Sequence, residues 1–248
     1  MALFDKFLNR FDTAVFSDQG GRTSNQDAYA YKVQGWLGCW VLCDGLGGHQ
    51  GGELAAKLAA EECLRTFWQN PVLEPESLRN CMKTANRLIN TQRRISLNKL
   101  MSTTVAMLSI CKSHALWAHV GDSRLYYFKN KKVFRQTADH SLTFKLMQIG
   151  EIQPEEIRGH TDRNRLLRVL GTEEVRPEIE NCPYTVESNQ AFLLCTDGFW
   201  EYIYENEMET LLATTQNAQT WLSKMVETIA QRQSQSADNY TAIAVIVK

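Results

Sequence analysis

Apolar residues recur at helical spacing in two pairs of segments, which are separated by a region of shorter apolar runs. The first pair covers 51–68 and then Pro75 to about residue 98, and the second covers 206–213 and 218–232. In 51–68 the apolar positions form one broad face, as in an amphipathic helix. Proline is acceptable at the start of the second helix, because the first turn has no N–H bond to lose.

The remaining apolar runs are short and are bounded by turn residues, as in β-strands. Predicted strands cover 12–17, 27–33, 36–43, 103–111, 115–120, 125–129, 133–136, 191–196 and 240–247. The connections at 112–113, 121–123 and 130–131 are short enough for antiparallel hairpins. Paired helices beside antiparallel strands favour packed antiparallel sheets covered by helices, an α+β fold, over alternating βαβ units.

Two further segments do not follow this pattern. Apolar residues from Leu3 to Phe11 recur at helical spacing and predict a short amphipathic helix that packs on its own domain, with docking to a partner as the alternative. The segment 141–176 is polar, with a predicted helix at 142–149 and no clear period afterwards. We expect it to be an excursion from the core of one domain that covers 1–248, because no linker or repeat divides the chain.

Composition excludes several classes of protein. Apolar residues make up 44% of the 248 positions, which is enough for a filled core, and 27 basic residues nearly balance 28 acidic ones. This balance gives no electrostatic reason to expect binding to nucleic acid or to an anionic membrane. The seven cysteines form no Cys-x-x-Cys pair, so most are expected to be buried thiols in a reducing compartment. With neither a signal-peptide core nor an apolar stretch of membrane-spanning length, a cytoplasmic monomer is expected.

Aspartates recur at the ends of the apolar strands. Two nearly unbroken apolar runs end in Asp-Gly, at Asp44 and at Asp197, while Asp27 begins a strand and Asp238 precedes the last one. A buried strand holds such a carboxylate rigidly, and the following glycine lets a backbone carbonyl approach an ion. Carboxylates gathered in this way repel one another unless a hard divalent cation such as magnesium or manganese joins them. The alternative for each Asp-Gly is a simple turn.

The pattern offers one candidate for binding phosphate, Arg22, and one further aspartate in a connection between strands, Asp122. Arg22 lies five residues before Asp27, and its guanidinium could bind phosphate oxygens in a bidentate manner. The alternative is an ordinary solvated surface arginine. Asp122, between two predicted strands, would ordinarily occupy a hairpin turn.

Seven short motifs together resemble a known family. In order they are Arg22-Thr-Ser-Asn-Gln-Asp27, Asp44-Gly-Leu-Gly-Gly-His49-Gln-Gly-Gly-Glu53, Ser102-Thr-Thr104, Gly121-Asp-Ser-Arg124, Thr137-Ala-Asp-His-Ser141, Thr196-Asp-Gly198 and Asp238-Asn-Tyr-Thr241. Their order is similar to that in the metal-dependent protein phosphatases of type 2C, of the compact bacterial kind, over roughly 13–247. The resemblance implies a four-layer αββα sandwich with a binuclear metal centre at one end. It also implies that 141–176 is a flap that gates the substrate, and this segment is called the flap below.

The resemblance implies a ligand set for manganese or magnesium. Asp44 would bridge two ions, and Asp197 and Asp238 would hold the first of them. The carbonyl of Gly45 would bind the second ion, with Asp27 contributing directly or through water. The two ions would lower the pKa of a bridging water, which would attack phosphorus in line without a covalent phosphoenzyme.

The remaining roles are implied in the same way. Asp122 and Asp197 match positions that hold a third, weaker ion in similar bacterial enzymes, and Arg22 matches the arginine that binds phosphate. The implied catalytic residues are therefore Arg22, Asp44 and Asp197. The implied substrates are proteins that a serine/threonine kinase has phosphorylated. No cysteine occurs in a Cys-x5-Arg loop, which argues against the phosphatases that use a cysteine nucleophile.

At four positions this sequence is compared with the family pattern because it differs there. Leu46 occupies a position where some relatives carry a histidine that resembles a general acid, so the leaving group would take its proton from metal-bound water. His49 is shifted along this loop and is interpreted as a structural residue. Gln26 replaces a frequent glutamate, which predicts weaker binding of the second ion, and Ser102 replaces a common glycine.

Two other functions remain as alternatives. A pseudophosphatase that serves as a binding module would have lost one or more of the metal carboxylates, yet Asp27, Asp44, Asp197 and Asp238 are all present. A phosphatase for small phosphorylated metabolites would share the same chemistry, and the sequence does not separate it from a protein phosphatase.

Overall fold

Two antiparallel sheets form the centre of the computed structural model, which describes residues 10–47, 49–96, 101–234 and 237–248. The strands are β1 (Phe11–Asp18), β2 (Asp27–Gln34), β3 (Leu37–Leu46), β4 (Ser102–Thr103), β5 (Val105–Cys111), β6 (His114–Val120), β7 (Arg124–Lys129), β8 (Lys132–Gln136), β9 (Glu178–Ile179), β10 (Tyr184–Thr185), β11 (Ala191–Cys195) and β12 (Tyr240–Val247). The helices are α1 (His49–Gln69), α2 (Pro75–Ser96), α3 (Leu142–Gln148), α4 (Asp197–Trp200), α5 (Glu205–Thr214) and α6 (Ala218–Ala230).

The strands divide between the sheets in a way that gives four layers. The first sheet has the order β1-β12-β11-β7-β8, and the second has the order β10-β6-β5-β3-β2 with β4 beside β3 and β9 beside β6. Helices α1 and α2 pack on the second sheet, while α5 and α6 pack on the first. The predicted α+β fold, a four-layer sandwich of two antiparallel sheets between helix pairs, is confirmed.

Alternation along each strand produces three apolar layers. In β3, Cys39, Val41 and Cys43 pack toward α1 and α2, whereas Trp40 and Leu42 pack between the two sheets. A third cluster lies between the first sheet and the helices from α4 to α6. Because successive side chains of a strand point to opposite faces, strands buried on both faces appear in the sequence as continuous apolar runs.

The structure corrects one predicted hairpin. The connections at 112–113 and 130–131 are hairpins, as predicted, with β5 paired to β6 and β7 paired to β8. In contrast, β6 and β7 belong to different sheets, so 121–123 crosses from one sheet to the other. The prediction was wrong because a short connection fixes only the distance between two strands and not whether they pair. Asp122 therefore lies at the seam between the sheets.

Two further predictions change at the ends of elements. Asp197-Gly198 begins the short helix α4 and is not a simple turn. Most of the predicted amino-terminal helix lies outside the described residues, and Phe11, which the pattern included in it, begins β1 instead. The end of the second long helix beyond Ser96 also lies outside the described residues.

The flap contains little regular structure and is attached to the core by backbone bridges. It includes α3, whose first turn is capped by Ser141 through a hydrogen bond from the Phe144 N–H (3.2 Å), and a short 3₁₀ helix at Pro154–Gly159. Isolated bridges pair Ser141 with Leu166 and Thr103 with Leu170. The flap is thus tied to the sheet edge near its end as well as at its beginning.

All seven cysteines are free thiols, and five of them are buried. Burial raises the pKa of Cys81 to about 12, so this thiol is protonated and packs as a small apolar side chain. Across the described parts of the chain, the helices are too short or too polar to cross a bilayer.

Trp40 offers a test of the layer between the sheets. Its side chain is fully buried, and its ring meets Phe11 edge-to-face with 5.2 Å between centroids. We expect Trp40→Ala to lower the free energy of unfolding by about 3–5 kcal/mol, because a large cavity remains. Urea unfolding would measure this loss. The matched control is Trp36→Ala, which removes a ring that is 54% exposed and should cost about 1 kcal/mol or less. Equal losses for the two variants would contradict the expectation.

Candidate active site

The strand registers bring the predicted carboxylates to one end of the sandwich. In the second sheet Asp27 lies directly opposite Asp44 across β2 and β3. In the first sheet Cys195 pairs with Arg124 on one side and with Ala242 on the other, so the adjoining ends of β7, β11 and β12 share an edge. The residues that flank these three strand ends are Asp122, Asp197 and Asp238.

This end contains a cleft of about 210 Å³. The predicted site residues on its lining are Arg22, Asp44, Gly45, Asp122, Asp197 and Asp238. The other lining residues are Gln26, Leu46, Gly47 and Asn239, together with Asn164 and Leu166 from the flap. Asp27 lies beside Asp44 in the sheet and is not on the lining, and its Oδ2 accepts a hydrogen bond from the Thr196 hydroxyl (3.0 Å). The structure therefore brings six of the seven predicted site residues onto one lining and places the seventh, Asp27, beside Asp44.

Asp44 is held by two threonines. Its backbone N–H donates to Thr104 Oγ1 (2.9 Å), and its carbonyl accepts from the Thr103 hydroxyl (2.8 Å) and from the Thr104 N–H (2.9 Å). Both threonines are completely buried. The sequence contained these residues in a motif but gave no sign of this role, because the contact spans about sixty positions. The backbone that carries the Asp44 carboxylate is thereby fixed.

Gly45 lies where the chain approaches the beginning of α1 most closely. Its N–H donates to the carbonyl of Gln26 (3.1 Å). A Cβ at position 45 would lie 2.3 Å from the Gly52 carbonyl oxygen and 2.7 Å from that of Gln26, so any side chain would collide with backbone. Glycine is required here by close packing, which agrees with its position on the cleft lining.

Burial and mutual repulsion disfavour the charged form of the clustered carboxylates at neutral pH. Desolvation raises the pKa of Asp44 and Asp122 well above the usual range, and the negative charges nearby raise it further. The same causes raise the pKa of Asp27 to about 7 and that of Asp197 to about 6. Among the described residues, Asp27 Oδ1 and Asp122 Oδ1 are buried without a hydrogen-bond partner. Oxygen atoms in this condition suit hard divalent cations, so the donor set fits magnesium or manganese.

Arg22 supplies the positive charge at the mouth of the cleft. It is the one basic residue on the described lining, and its side chain is 54% exposed. Its Nη2 donates to Asp238 Oδ2 (2.6 Å). The remaining guanidinium N–H groups can reach toward solvent, where an incoming phosphate would arrive.

Among the described residues, another cluster of potential metal-ligand side chains lies outside the acidic cleft. His119, His140 and Glu178 have ligand atoms that all lie within 4.8 Å of one another. The two imidazole rings are stacked nearly parallel, with 4.6 Å between centroids and an interplanar angle of 6°. Lone pairs of imidazole nitrogens lie in the ring plane, so two parallel rings cannot both direct them at one ion. This cluster is better explained by hydrogen bonding than by metal binding.

A buried arginine beneath the cleft was not identified from the sequence. Arg124 is 4% exposed and donates to both carboxylate oxygens of Asp139 (2.9 and 2.7 Å). Its guanidinium lies 3.6 Å above the ring of Trp200, whose indole N–H donates to the Asp122 carbonyl (3.0 Å). Both charged residues occur in motifs of the sequence, but their pairing across fifteen positions left no local signal. Together they support the backbone of Asp122.

The structure shows where three of the four residues that concern departures from the family pattern lie. Leu46 lines the cleft, where its side chain offers no proton to a leaving group. Gln26 also lines the cleft, and its backbone N–H donates to Asn239 Oδ1 (2.8 Å). Ser102 pairs with Leu46 across β4 and β3. The side chain of His49 lies outside what the structure describes, so its predicted structural role stays a prediction.

The four-layer sandwich of this chain is also the fold of several solved phosphatase structures. A solved structure of the Mycobacterium tuberculosis serine/threonine phosphatase PstP/Ppp superposes with a TM-score of 0.85 at 23% identity, covering 96% of this chain and 99% of that one. A second structure, of the catalytic domain of the phosphatase PstP with two manganese ions, gives a TM-score of 0.83 at 23% identity and covers 96% and 98%. At this identity the likeness establishes the fold.

The sequence comparisons identify the family. A family model described as Protein phosphatase 2C matches residues 18–240, so the chain belongs to this family. The serine/threonine phosphatase stp of Listeria welshimeri is 31% identical over 203 residues, which cover 79% of this chain and 76% of the relative.

The repulsion among the carboxylates predicts how metal and pH affect stability. With EDTA at pH 8, we expect Asp44→Asn to unfold at a higher temperature than the unchanged protein, because it removes one of several clustered charges.

The folded-state pKa values of Asp27 (about 7) and Asp197 (about 6) exceed the ordinary 3.8. The folded state therefore binds more protons than the unfolded state between about pH 4 and pH 7, and stability falls as pH rises through this window.

Addition of Mn²⁺ should reverse this difference. At a concentration of about one hundred times the dissociation constant, a bound ion adds about 2.7 kcal/mol, which corresponds to an increase in Tm of about 5–10 °C in the unchanged protein. Asp44→Asn should show little of this increase. Differential scanning calorimetry would measure both effects, with Glu227→Gln on the exposed face of α6 as the control for loss of one charge. An equal Mn²⁺ response in all three proteins would contradict the assignment.

Proposed function

We propose that this protein hydrolyses phosphoserine and phosphothreonine monoesters in proteins, using two Mn²⁺ or Mg²⁺ ions in the acidic cleft. The observation that carries the proposal is the convergence of four carboxylates and one arginine in a single cleft, next to carboxylate oxygens that lack a partner. Membership of the Protein phosphatase 2C family and the activity named for the Listeria relative support the same reaction.

Different residues of the cleft would bind each of the two ions. Asp44, central in the cleft and fixed by threonines, would contact both ions, while Asp197 and Asp238 would hold the first. The Gly45 carbonyl and Asp27 would contribute to the second. When bound, the ions supply positive charge that lowers the pKa of a coordinated water and neutralises the phosphoryl oxygens. The two manganese ions in the structure of PstP support this stoichiometry.

In the same proposal, Asp122 and Asp197 would hold a further ion of lower affinity. Asp122 is 4% exposed, and its Oδ1 lacks a hydrogen-bond partner among the described residues. The backbone below it is held by Trp200, whose indole N–H reaches the Asp122 carbonyl (3.0 Å). The seam between the sheets thus carries a carboxylate, that of Asp122, which the proposed pair of ions does not use.

The protein residues suit direct hydrolysis. The described lining contains no serine, threonine, cysteine or histidine, so none of these common nucleophiles faces the phosphate. Arg22 would bind and orient the phosphoryl oxygens. Leu46 offers no proton, so the leaving oxygen must obtain its proton from water. In this proposal Arg22, Asp44 and Asp197 are the catalytic residues.

The flap favours a protein substrate over a small metabolite. It forms one side of the cleft through Asn164, which is exposed, and Leu166, which is half-buried. A polar amide beside an aliphatic side chain can contact residues that flank a phosphorylated serine or threonine. We propose that the substrates are products of a serine/threonine kinase, and that the protein acts as a cytoplasmic monomer.

Hydrolysis of a phosphothreonine peptide and of an aryl phosphate tests this proposal. We expect both reactions to require Mn²⁺ or Mg²⁺, and we expect Asp44→Ala or Asp197→Ala to lower kcat/KM by at least about 100-fold through loss of charge stabilisation. Full activity of either variant, or full activity of the unchanged protein in excess EDTA, would contradict the mechanism.

Sugar phosphates serve as the comparison substrates, and a preference for them would favour the metabolite phosphatase. Isothermal calorimetry without uptake of Mn²⁺ would favour a pseudophosphatase.

Arg22 gives a separate prediction about binding of the phosphate. We expect Arg22→Ala to lower kcat/KM for the phosphopeptide by about 10–100-fold, mostly through KM, because the charge-assisted hydrogen bonds to phosphate are lost. Arg22→Lys should recover part of the loss, since lysine keeps the charge but not the planar fork. Arg79→Ala removes an arginine of α2 that is half-buried, pairs with Glu76 and lies outside the cleft lining, and it is the control. Steady-state kinetics decides the point, and an unchanged KM for Arg22→Ala would refute this role.

A further inference from the structure

His140 lies where the flap meets the seam between the two sheets. Its side chain is nearly buried, and the residue is 7% exposed. The His140 backbone N–H donates to the carbonyl of Gly121 (2.9 Å), and its Nδ1 accepts the N–H of Gly121 (3.2 Å). Main chain and side chain of one residue therefore bind both polar groups of the residue that precedes Asp122.

The same residue anchors the flap. The carbonyl of His140 accepts the N–H of Leu167 (2.7 Å), and the next residue, Ser141, forms a β-bridge with Leu166. The N–H of Leu142 donates to the carbonyl of Arg165 (2.8 Å). The bond from Leu167 attaches the flap to His140, while the other two contacts pair the beginning of the flap with its segment 165–166. Leu166, within that segment, lines the cleft.

The Gly121 turn continues into the hydrogen bonds around Asp44. The backbone at Gly121 has a φ of 103°, and a Cβ there would lie 2.6 Å from the side chain of Thr104. Two residues further on, the Ser123 hydroxyl lies 2.7 Å from Thr104 Oγ1, which accepts the Asp44 N–H (2.9 Å). A chain of direct contacts thus joins the flap, the Asp122 turn and the Asp44 backbone.

The surroundings of the imidazole fix its tautomer. Because Nδ1 accepts an N–H, the ring proton is on Nε2, which lies 3.2 Å from Glu178 Oε2 and donates to it. The Arg168 guanidinium lies 3.2 Å from the same nitrogen, but in this tautomer both groups are donors, so the two do not form a hydrogen bond. The ring of His119 stacks on that of His140, and its Nε2 donates to the carbonyl of Ala138 (2.7 Å). The role of Nδ1 as an acceptor is therefore set by the Gly121 N–H on one side of the ring and by Glu178 on the other.

We propose that His140 is a positioning residue that holds the Asp122 turn and the substrate-facing part of the flap in one fixed relation. The inference rests on the proposed function, because it assigns the coupled groups to one reaction. Asp122 presents its carboxylate from the turn, and Leu166 presents its side chain from the flap. Loss of the Nδ1 acceptor frees the turn, so a substrate that contacts the flap is affected more than a small aryl phosphate.

Substitutions at His140 can distinguish the effect of losing the Nδ1 acceptor from the effect of changing the size of the side chain. His140→Asn places an amide oxygen near the position of Nδ1 and should keep the bond to Gly121. His140→Gln places its polar group near Nε2, and His140→Leu has no polar group. We expect the Gln and Leu variants to lose about 10–100-fold in kcat/KM for a phosphothreonine peptide, and less for an aryl phosphate, whereas Asn should stay close to the unchanged protein. His119→Gln disturbs the stacked ring without touching Gly121 and is the control.

Amide exchange in the metal-free protein gives a readout that does not depend on activity. We expect the Gly121 amide to exchange at least about tenfold faster in the Gln and Leu variants than in the unchanged protein, the Asn variant and His119→Gln. NMR would measure this rate, with the Leu167 amide, which binds the His140 backbone, as the internal reference. If the Leu variant does not fold, the comparison of Asn with Gln decides the matter.

The possible outcomes distinguish the two proposals. Equal Gly121 exchange and equal peptide kinetics in the Asn and Gln variants would overturn the positioning role. Faster Gly121 exchange without a selective loss for the peptide would also overturn it, since the bond would then be structural only. Absence of metal-dependent hydrolysis in the unchanged protein would instead overturn the proposed function, while the exchange data would still show whether Nδ1 holds the turn.

Discussion

Mutual repulsion among carboxylates at one end of the sandwich is the constraint on which the rest of the structure depends. Desolvation and neighbouring negative charge raise the pKa of Asp27, Asp44, Asp122 and Asp197. A flexible chain would move these groups apart or let water surround them. Here each one is attached near the end of a strand whose register is set by its neighbours. Three apolar layers hold those strands in place, so the folding energy of the whole molecule keeps the charges together.

The same constraint determines how a phosphate can bind. The described cleft has four carboxylates and one guanidinium on its lining, so a phosphate dianion entering it alone would meet net repulsion. Arg22 cannot offset this by itself, because it is half exposed and already pairs with Asp238 (2.6 Å). In the proposed function, divalent ions would therefore serve substrate binding as well as activation of water. That double role would explain why a cleft for an anionic substrate is built from acids.

Much of the fold could be predicted because its strands are buried on both faces or alternate regularly, and its helices have apolar faces. The pattern did not indicate which strands share a sheet, and so 121–123 was assigned to a hairpin although it crosses between sheets. The carboxylates were visible because Asp-Gly at the end of an apolar run is a local signal. Thr104 and Asp139 were not recognised, since their partners Asp44 and Arg124 are distant in sequence and only the register brings them together.

In the proposed function, the attachment of the flap separates the chemistry from recognition of the substrate. The bridges from Ser141 to Leu166 and from Thr103 to Leu170 use backbone atoms, so side chains on the outer face of the flap can change without loosening it. Around Asp44, by contrast, the contacts use the hydroxyls of Thr103 and Thr104, and a substitution there would alter the catalytic geometry directly. His140 is the point where the two kinds of contact meet, because its backbone binds the flap while its ring binds the turn next to Asp122. A structure arranged in this way can accommodate new substrates through the flap while the ion-binding end stays unchanged.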